Sequence, residues 1–428
     1  MNFQQTVDYL LSLGNEVETM KLGLENIRKL LDALGGPQKH YVKVQIAGTN
    51  GKGSVCAFLG SICREAGIRT GVYTSPHLVS ITERVNIDGV DISEDDFARL
   101  ATRVRDVSEK LVAEGAIETV PTYFEQVTAI ALLGFAESKM EIAILETGLG
   151  GRYDAVTAAN AEICAITRID LDHQEFLGDT IEEIAAEKAA IIRADSRVVI
   201  GEQFDAAFDV ILNQCRRLGV APTLLNGGRT TGRCAANVYE EEAHSLPLVF
   251  PPLGLAGIHQ IENAEVTVAI VEMLRGYFPI TNEQISDGLA KARHPGRLER
   301  IDRFLLDAAH NPAGAKALRY YLDEFVDQPI TLIFGAMKDK NVEEIAEILF
   351  PKAEHVVLTE PSNTRAMPVE EVADLVPTSF DQGRLFKYPD VADALSKAEA
   401  VTPENGIILV TGSLYLVGDI KRILKSRI

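Results

Sequence analysis

The sequence predicts an α/β fold in two domains, each built on a mainly parallel sheet. Short apolar runs of strand length alternate with stretches of helical periodicity, as in sheets that helices cover on both faces. The alternation stops at the turn composition His294-Pro295-Gly296-Arg297 and then starts again. A chain of 428 residues is also too long for one ordinary core, so we expect domains at 1–293 and 294–428.

Composition indicates a globular protein without a nucleic-acid or membrane partner. Hydrophobic residues make up 46% of the chain, and the net charge of −20 disfavours binding to nucleic acid or to an anionic membrane surface. No stretch reaches the length of an apolar membrane span, and no basic segment precedes the first apolar residues, so we expect a cytoplasmic location. The five cysteines form no C-x-x-C pair, which predicts reduced thiols in the core.

The first elements lead into a glycine-rich loop. A helical stripe from Leu24 to Leu34 ends at Gly35-Gly36-Pro37, which is a stop signal. Alternating apolar residues at 42–46 then predict a strand, and apolar positions from Val55 to Ala66 recur at helical spacing. The segment between them, GTNGKGS at residues 48–54, is called the phosphate loop below.

The phosphate loop has the composition of a phosphate-binding turn. Glycines let backbone N–H groups close on phosphate oxygens, the helix N-terminus adds a positive end, and Lys52 can reach the terminal phosphates. The general pattern G-x-x-x-x-G-K-[ST] is not matched, because Ile46 replaces its first glycine and Gly53 separates Lys52 from Ser54. The alternative interpretation is an ordinary glycine-rich turn between a strand and a helix.

The rest of the first domain continues the alternation. A hairpin is predicted at 84–93 around Asp88-Gly89, and Ser93 and Pro121 mark the starts of two helices. The further predicted strands are 69–75, 141–147, 162–167 and 197–201, and the further helices are 181–192 with its cap at 179–180, 257–274 and one capped near Asn282. Residues 221–257 are rich in Gly, Pro and polar residues and receive no assignment.

The second domain is predicted as a self-contained α/β unit. A strand ends in DAAHNP at 307–312, and the last strand ends in Thr411-Gly412-Ser413. The elements between and after them are helices 313–325, 341–350, 369–376 and 390–400, strands at 330–336 and in HVVLTEP, and a final helix to about Lys425.

Polar residues follow several predicted strands, where open α/β sheets place their ligands. Ser75 and Glu146 end two strands of the first domain, and His173 follows a third. Glu146 has the position of an acid that approaches Mg²⁺ in phosphate-loop enzymes, and His173 is a candidate ligand beside it. The alternatives are a turn serine and a solvated strand-end glutamate.

Three further positions have both a functional and a structural interpretation. Lys188 lies among alanines in a closely packed helix, yet most helix lysines extend to solvent. In the second domain, the segments Asp307 to Pro312 and Thr411 to Ser413 close apolar strands, and either could simply cap a helix.

Taken in order, the motifs resemble the folylpolyglutamate synthase/dihydrofolate synthase family of the Mur-ligase superfamily. The motifs that carry the resemblance are GTNGKGS, TSPHL, PTYFE, ETGLGGRYDA, LDH with LGDTIEEIAAEKAAII, HQIENA, HPGRLER, DAAHNP and TGSLYL. The resemblance implies an N-terminal phosphate-loop ATPase domain with a pterin site and a smaller, Rossmann-like C-terminal domain that binds glutamate. It also implies ATP and Mg²⁺ as cofactors.

The resemblance further implies a role for each matching position. Lys52, Lys188, His173 and Glu146 would be catalytic. The positions implied for ATP are Asn50, Gly51, Lys52, Gly53, Asn263, Arg297 and Asp307. Those implied for magnesium are Ser75, Glu146, His173 and a carboxylated Lys188. Those implied for the pterin are Thr122, Tyr123, Phe124, Glu125, Arg152, Tyr153, Asp154 and Ala155, and those for glutamate are His310 and Ser413.

Five positions depart from the family pattern. Arg168 and Asp170 replace the Asn and Gly of T-N-I-G-L-D-H, and Tyr153 replaces a usual Leu. Ala190 and Ala308 each replace a glycine. Arg168 and Tyr153 bear on the pterin pocket and substrate choice, whereas the implied ATP and metal positions are intact.

The implied chemistry is ATP-driven amide ligation, in which a carboxylate is activated as an acyl phosphate and the amine of L-glutamate displaces phosphate. The substrates would be dihydropteroate, tetrahydrofolates or both, and we expect a monomer. Three alternatives stay open: a small-molecule kinase or NTPase, a nucleotide-binding interaction module, and a peptidoglycan-precursor ligase. The PTYFE segment weighs against the last of these.

Overall fold

The computed structural model describes residues 1–14, 23–225 and 251–427. The chain divides into two compact units, Met1–Gly254 with Ile261–Ala292, and Leu255–Gln260 with Arg293–Ile428. Each unit contains a mainly parallel sheet with helices, so the predicted fold class is confirmed. The unassigned segment 221–257 lies partly outside the described residues, and so does Cys234.

The sheet of the first unit has the order β4-β3-β2-β5-β1-β6-β7-β8 within the described residues. All neighbours pair in parallel except β2 with β3 and β3 with β4, the second of which is the predicted hairpin. The strands are β1 Val42–Ala47, β2 Thr70–Tyr73, β3 Val85–Ile87, β4 Val90–Asp91, β5 Ile142–Glu146, β6 Ile163–Ile166, β7 Arg197–Ile200 and β8 Thr223–Leu224.

Three helices of this region start where the sequence places caps. Ser93 accepts a hydrogen bond from the Asp96 N–H, and Thr122 and Thr180 each form a capping box. The helices are α1 Phe3–Ser12, α2 Glu25–Ala33, α3 Lys52–Glu65, α4 Glu94–Ala113, α5 Tyr123–Glu137, α6 Gln174–Leu177, α7 Ile181–Ala189, α8 Asp205–Leu218, α9 His259–Leu274 and α10 Asn282–Lys291. Helix α7 ends at Ala189, three residues before the predicted end.

The core of the first unit lies around the central strands. Strands β5 and β6 are buried at every residue, which explains why they appear in the sequence as apolar runs, broken only by Glu146 at the end of β5. The described cysteines, Cys56, Cys63, Cys164 and Cys215, are buried free thiols, as predicted. Within the described ranges, no helix combines the length and apolar composition that crossing a bilayer requires.

The second unit has the strand order β13-β12-β11-β14-β10-β9. Its strands pair in parallel except β9, which is antiparallel to β10. The strands are β9 Glu299–Ile301, β10 Phe304–Leu306, β11 Ile330–Phe334, β12 His355–Leu358, β13 Leu385–Lys387 and β14 Ile407–Thr411. The helices are α11 Pro312–Phe325, α12 Val342–Leu349, α13 Val369–Asp374, α14 Val391–Val401 and α15 Leu414–Ser426.

Candidate active site

The phosphate loop joins β1 to α3, and its glycines permit close packing. Gly51 has a φ of 89° and immediately precedes α3. A Cβ at Gly51 would lie 2.2 Å from the Asn263 Oδ1, so α9 brings Asn263 against the loop. A Cβ at Gly48 would lie 1.9 Å from the Thr167 Oγ1. Only glycine fits at either position, and Gly53 lies in the first turn of α3.

Two lysine ammonium groups meet at the start of this loop. The Gly48 main-chain oxygen accepts hydrogen bonds from the Lys52 Nζ at 3.0 Å and from the Lys188 Nζ at 2.9 Å. Lys188 is only 5% exposed, so the alternative in which it extends to solvent is wrong. The pKa of Lys188 is lowered to about 7, first by burial and then by Lys52, while Asp172 and Asp154 act in the opposite direction.

Ser75 and Glu146 are in direct contact. Ser75 follows β2 and Glu146 is the last residue of the neighbouring parallel strand β5, and the Ser75 N–H donates to the Glu146 Oε2 at 3.1 Å. The Ser75 Oγ is buried and has no hydrogen-bond partner among the residues that the structure describes. A carboxylate beside a hydroxyl that needs a partner suits Mg²⁺, which prefers oxygen ligands and keeps several waters.

His173 lies just before α6 with left-handed backbone, at a φ of 51°. Its backbone N–H donates to the Asp172 Oδ1 at 2.9 Å, and its ring Nε2 is 3.9 Å from the Asp172 Oδ2. The described residues contain no group of three or more His, Cys, Asp or Glu side chains able to hold a metal ion. Mg²⁺ bound to nucleotide phosphates needs only one or two protein carboxylates, so the Ser75 and Glu146 pair fits it.

The first predicted pterin segment begins α5 and has clear structural roles. The Thr122 hydroxyl and the Glu125 carboxylate form the capping box, and Glu125 also accepts from the Ile27 N–H at 3.2 Å. The rings of Tyr123 and Phe124 face the buried Arg84 guanidinium, with centroids 5.6 and 5.7 Å from its Cζ.

The second predicted pterin segment divides into an exposed and a buried half. Arg152 forms an ion pair with Glu187 at 2.8 Å, and Tyr153 is 41% exposed. Asp154 accepts hydrogen bonds from the N–H groups of Gly148, Leu149 and Val156, and burial raises its pKa. Ala155 is buried in the core. Arg152 and Tyr153 therefore offer the accessible side chains of this segment.

The segment after β6 contacts the phosphate loop, a role that the sequence did not reveal. The N–H groups of Thr49 and Asn50 donate to the Arg168 oxygen, and the Asn50 Nδ2 donates to the Asp170 Oδ2 at 3.1 Å. In the sequence, Arg168 and Asp170 stand out as departures from the family pattern, without an indication that they contact the loop. That unusual pair was the available signal.

In the second unit, Asp307 fixes the turn before β9. It accepts hydrogen bonds from the N–H groups of Leu298 at 2.9 Å and Ala309 at 3.0 Å. Burial raises its pKa, while the Arg297 guanidinium opposes that shift. The Arg297 Nη1 donates to the Ala308 oxygen at 3.3 Å, so Arg297 and Asp307 belong to one local group.

His310 and Ser413 follow the paired strands β10 and β14. A hydrogen bond of 3.0 Å from the Gly412 N–H to the Ala309 oxygen joins the two segments, which places both residues at one edge of the sheet. The His310 Nδ1 lies 2.8 Å from the Ala308 oxygen, and the Ser413 Oγ accepts from the Tyr415 N–H to cap α15.

Comparison with known proteins places both units in one family. Residues 46–271 match the Mur ligase middle domain, and residues 296–414 match the Mur ligase, glutamate ligase domain. A Bacillus subtilis dihydrofolate synthase/folylpolyglutamate synthase is 33% identical over 95% of this chain and 96% of its own length. The chain belongs to the folylpolyglutamate synthase/dihydrofolate synthase family. The predicted family is therefore confirmed.

Two further members of this family are similar along almost the whole chain. The Haloferax volcanii probable bifunctional folylpolyglutamate synthase/dihydropteroate synthase is 34% identical over 98% of this chain. The present chain spans only 50% of that relative's length. The Mycobacterium tuberculosis folylpolyglutamate synthase, crystallised with ADP and AMPPCP, is 30% identical with a TM-score of 0.85 and covers 98% of each chain. These similarities favour the folate family over peptidoglycan-precursor ligases.

Proposed function

We propose that this protein is an ATP-dependent amide ligase that adds L-glutamate to dihydropteroate, to (tetrahydro)folate, or to both. The observation that carries the proposal is the buried Lys188 ammonium on the phosphate-loop oxygen of Gly48. A buried lysine beside a phosphate loop has no evident use in an ordinary strand-to-helix turn. The family membership supports the same activity, because relatives named for it match over nearly their whole length.

The reaction needs activation because a carboxylate oxygen is a poor leaving group. The acceptor's carboxylate attacks the γ-phosphorus of ATP, and the bond between that phosphorus and the oxygen bridging to the β-phosphate breaks. ADP is released, and the acceptor is left as an acyl phosphate. The amine of L-glutamate then attacks the acyl carbon, phosphate leaves, and the amine proton passes to solvent or a base. The balanced products are the amide, ADP and inorganic phosphate.

The residues of the first unit are suited to the phosphate end of this reaction. Gly51, Lys52 and Gly53 would bind the ATP phosphates at the start of α3, with Asn50 and Asn263 beside them. Ser75, Glu146, His173 and a carboxylated Lys188 would hold Mg²⁺, which supplies positive charge where anionic groups must approach each other. Thr122 to Glu125 and Arg152 to Ala155 are proposed as the pterin-side segments.

The residues of the second unit are proposed for the remaining contacts. Arg297 would face the phosphates and Asp307 the ribose or base, while His310 and Ser413 would receive glutamate. The glutamate-ligase family match over 296–414 supports assigning this role to the domain at 294–428, with the ATPase domain at 1–293. We further propose that the protein acts as a cytoplasmic monomer on small molecules, without nucleic-acid or membrane partners.

The test is ADP release from the purified chain with a substrate panel. Dihydropteroate, tetrahydrofolate and a muramyl peptide precursor are each assayed with and without L-glutamate, and with and without Mg²⁺. We expect ADP only when Mg²⁺, L-glutamate and a pteroate or folate acceptor are all present. Equal ADP release without glutamate would instead identify a kinase or NTPase. Turnover with the muramyl precursor as acceptor, but not with dihydropteroate or tetrahydrofolate, would identify a peptidoglycan-type ligase.

A further inference from the structure

The first half of the phosphate loop is held by the segment that follows β6. The N–H groups of Thr49 and Asn50 donate to the Arg168 main-chain oxygen at 2.9 and 3.1 Å. These two N–H groups are engaged with the protein and do not bind phosphate. The N–H groups that would bind phosphate are therefore those of the first turn of α3, which have no partner within the helix. The position of that turn therefore depends on how firmly its preceding residues are anchored.

Asp170 anchors the same two residues at three further points. Its N–H donates to the Thr49 Oγ1 at 3.1 Å, and its main-chain oxygen accepts from that hydroxyl at 3.0 Å. Its carboxylate Oδ2 accepts from the Asn50 Nδ2 at 3.1 Å. The glycine of the family pattern has no side chain and could not make the last contact.

Arg168 is fixed from its own side. Its guanidinium Cζ lies 4.0 Å from the centroid of the Phe204 ring, which is a close cation–π contact. Arg168 also acts on Glu262, whose pKa is raised mainly by desolvation while the Arg168 guanidinium opposes that shift. The main-chain oxygen that holds the loop thus belongs to a residue whose side chain packs against an aromatic ring.

We propose that Asp170 is a positioning residue that sets the nucleotide affinity of the phosphate loop. Its carboxylate holds the Asn50 side chain, and through it the turn that begins α3. A carboxylate near bound phosphates also repels them, so its charge acts against binding while its acceptor oxygen acts in favour. The inference rests on the proposed function, because it takes residues 48–54 as the nucleotide phosphate site.

The two effects of Asp170 can be separated by two substitutions in the full chain. Asp170→Ala removes both the acceptor and the charge, whereas Asp170→Asn keeps an acceptor oxygen and removes only the charge. The control is Asp91→Ala, which removes a similar bond of 2.9 Å from the Asn86 Nδ2 in the β3–β4 hairpin. Titration calorimetry with Mg·ADP gives the affinity, and steady-state assays give KM for ATP, KM for glutamate and kcat.

We expect Asp170→Ala to weaken Mg·ADP binding and raise KM for ATP by about threefold to tenfold, the loss expected for one hydrogen bond. The Asp170→Asn variant should bind Mg·ADP at least as tightly as the unsubstituted chain. In both variants, KM for glutamate and kcat at saturating ATP should be nearly unchanged. Unweakened binding by Asp170→Ala, or equal weakening by Asp170→Asn, would overturn the inference. If the unsubstituted chain bound no nucleotide, the proposed function itself would fail.

Discussion

The Lys188 Nζ donates a hydrogen bond of 2.9 Å to the main-chain oxygen of Gly48, the first residue of the phosphate loop. Lys52 donates to the same oxygen, so the partly buried Lys52 ammonium lies close to the buried Lys188 ammonium. Such a pair is costly if both groups are charged, and loss of the proton from Lys188 relieves the repulsion. A neutral amine at this position can react with CO₂ to give a carbamate.

We predict that Lys188 carries a carboxylated ε-amine in the active protein. The carbamate converts a poorly placed cation into an anionic oxygen ligand, which Mg²⁺ prefers. Lys188→Ala should fold normally and lose activity by about 10²-fold or more, the loss typical when a charge-stabilising group is removed. Bicarbonate labelled with ¹³C should give a carbamate resonance in the unsubstituted protein, and a short-chain carboxylic acid should partly restore the alanine variant.

Lys188→Arg is the sharper variant for the same hypothesis. Arginine keeps a cation and cannot form the carbamate, so this variant should be inactive and should lack the labelled resonance. An active Lys188→Arg variant would show that the carbamate is not required.

Lys188 should also make folding stability depend on pH in a defined window. Its pKa is about 7 in the folded chain and about 10.4 when unfolded. Between these values the unfolded state binds more protons, so the unfolding free energy should rise with pH from about 7 to 10 relative to Lys188→Met. Urea unfolding of both proteins in CO₂-free, Mg²⁺-free buffer measures the difference. A difference that stays constant with pH would mean that burial does not perturb Lys188.

Glu146→Ala and His173→Ala should impair turnover far more than folding. Both residues lie at or beyond strand ends, and removing a group that stabilises transition-state charge costs about 10²–10³ in rate. Steady-state kinetics across Mg²⁺ concentrations, with thermal unfolding of the free proteins, separates the two effects. Glu146→Gln is the control, because it keeps an acceptor for the Ser75 N–H without the charge. Unchanged kinetics in both alanine variants would mean that the metal assignment is wrong.

The parts of the fold that local chemistry determines were predictable from the sequence. Strands β5 and β6 appear as apolar runs because both faces are covered, and α5 starts at a capping box that the letters TYFE contain. The strands β9 and β13 were missed because none of their residues is fully buried, so no apolar run marks them in the sequence. Helix α8 was also not predicted, although its apolar spacing was present in the sequence.

The site was predictable as a set of positions and less so as a set of contacts. The motifs placed Ser75 and Glu146 at strand ends, but their hydrogen bond depends on the pairing of β2 with β5. Resemblance associated Glu125 with the pterin, whereas the structure gives it a capping role and a bond to the Ile27 N–H. The contact between Asp170 and Asn50 could not be predicted from the sequence, because 120 residues separate them along the chain.

The last prediction concerns glutamate binding by the second unit. His310→Ala and Ser413→Ala should raise KM for L-glutamate and leave nucleotide binding nearly unchanged, since both follow the paired strands β10 and β14. Ser413→Ala also removes the N-cap of α15, which costs about 1 kcal/mol of stability. Asp390→Ala removes the N-cap of α14 in the same unit and is the matched control. If Asp390→Ala raised KM as much as Ser413→Ala, or if both site variants weakened Mg·ADP binding instead, the glutamate site would have to be sought elsewhere.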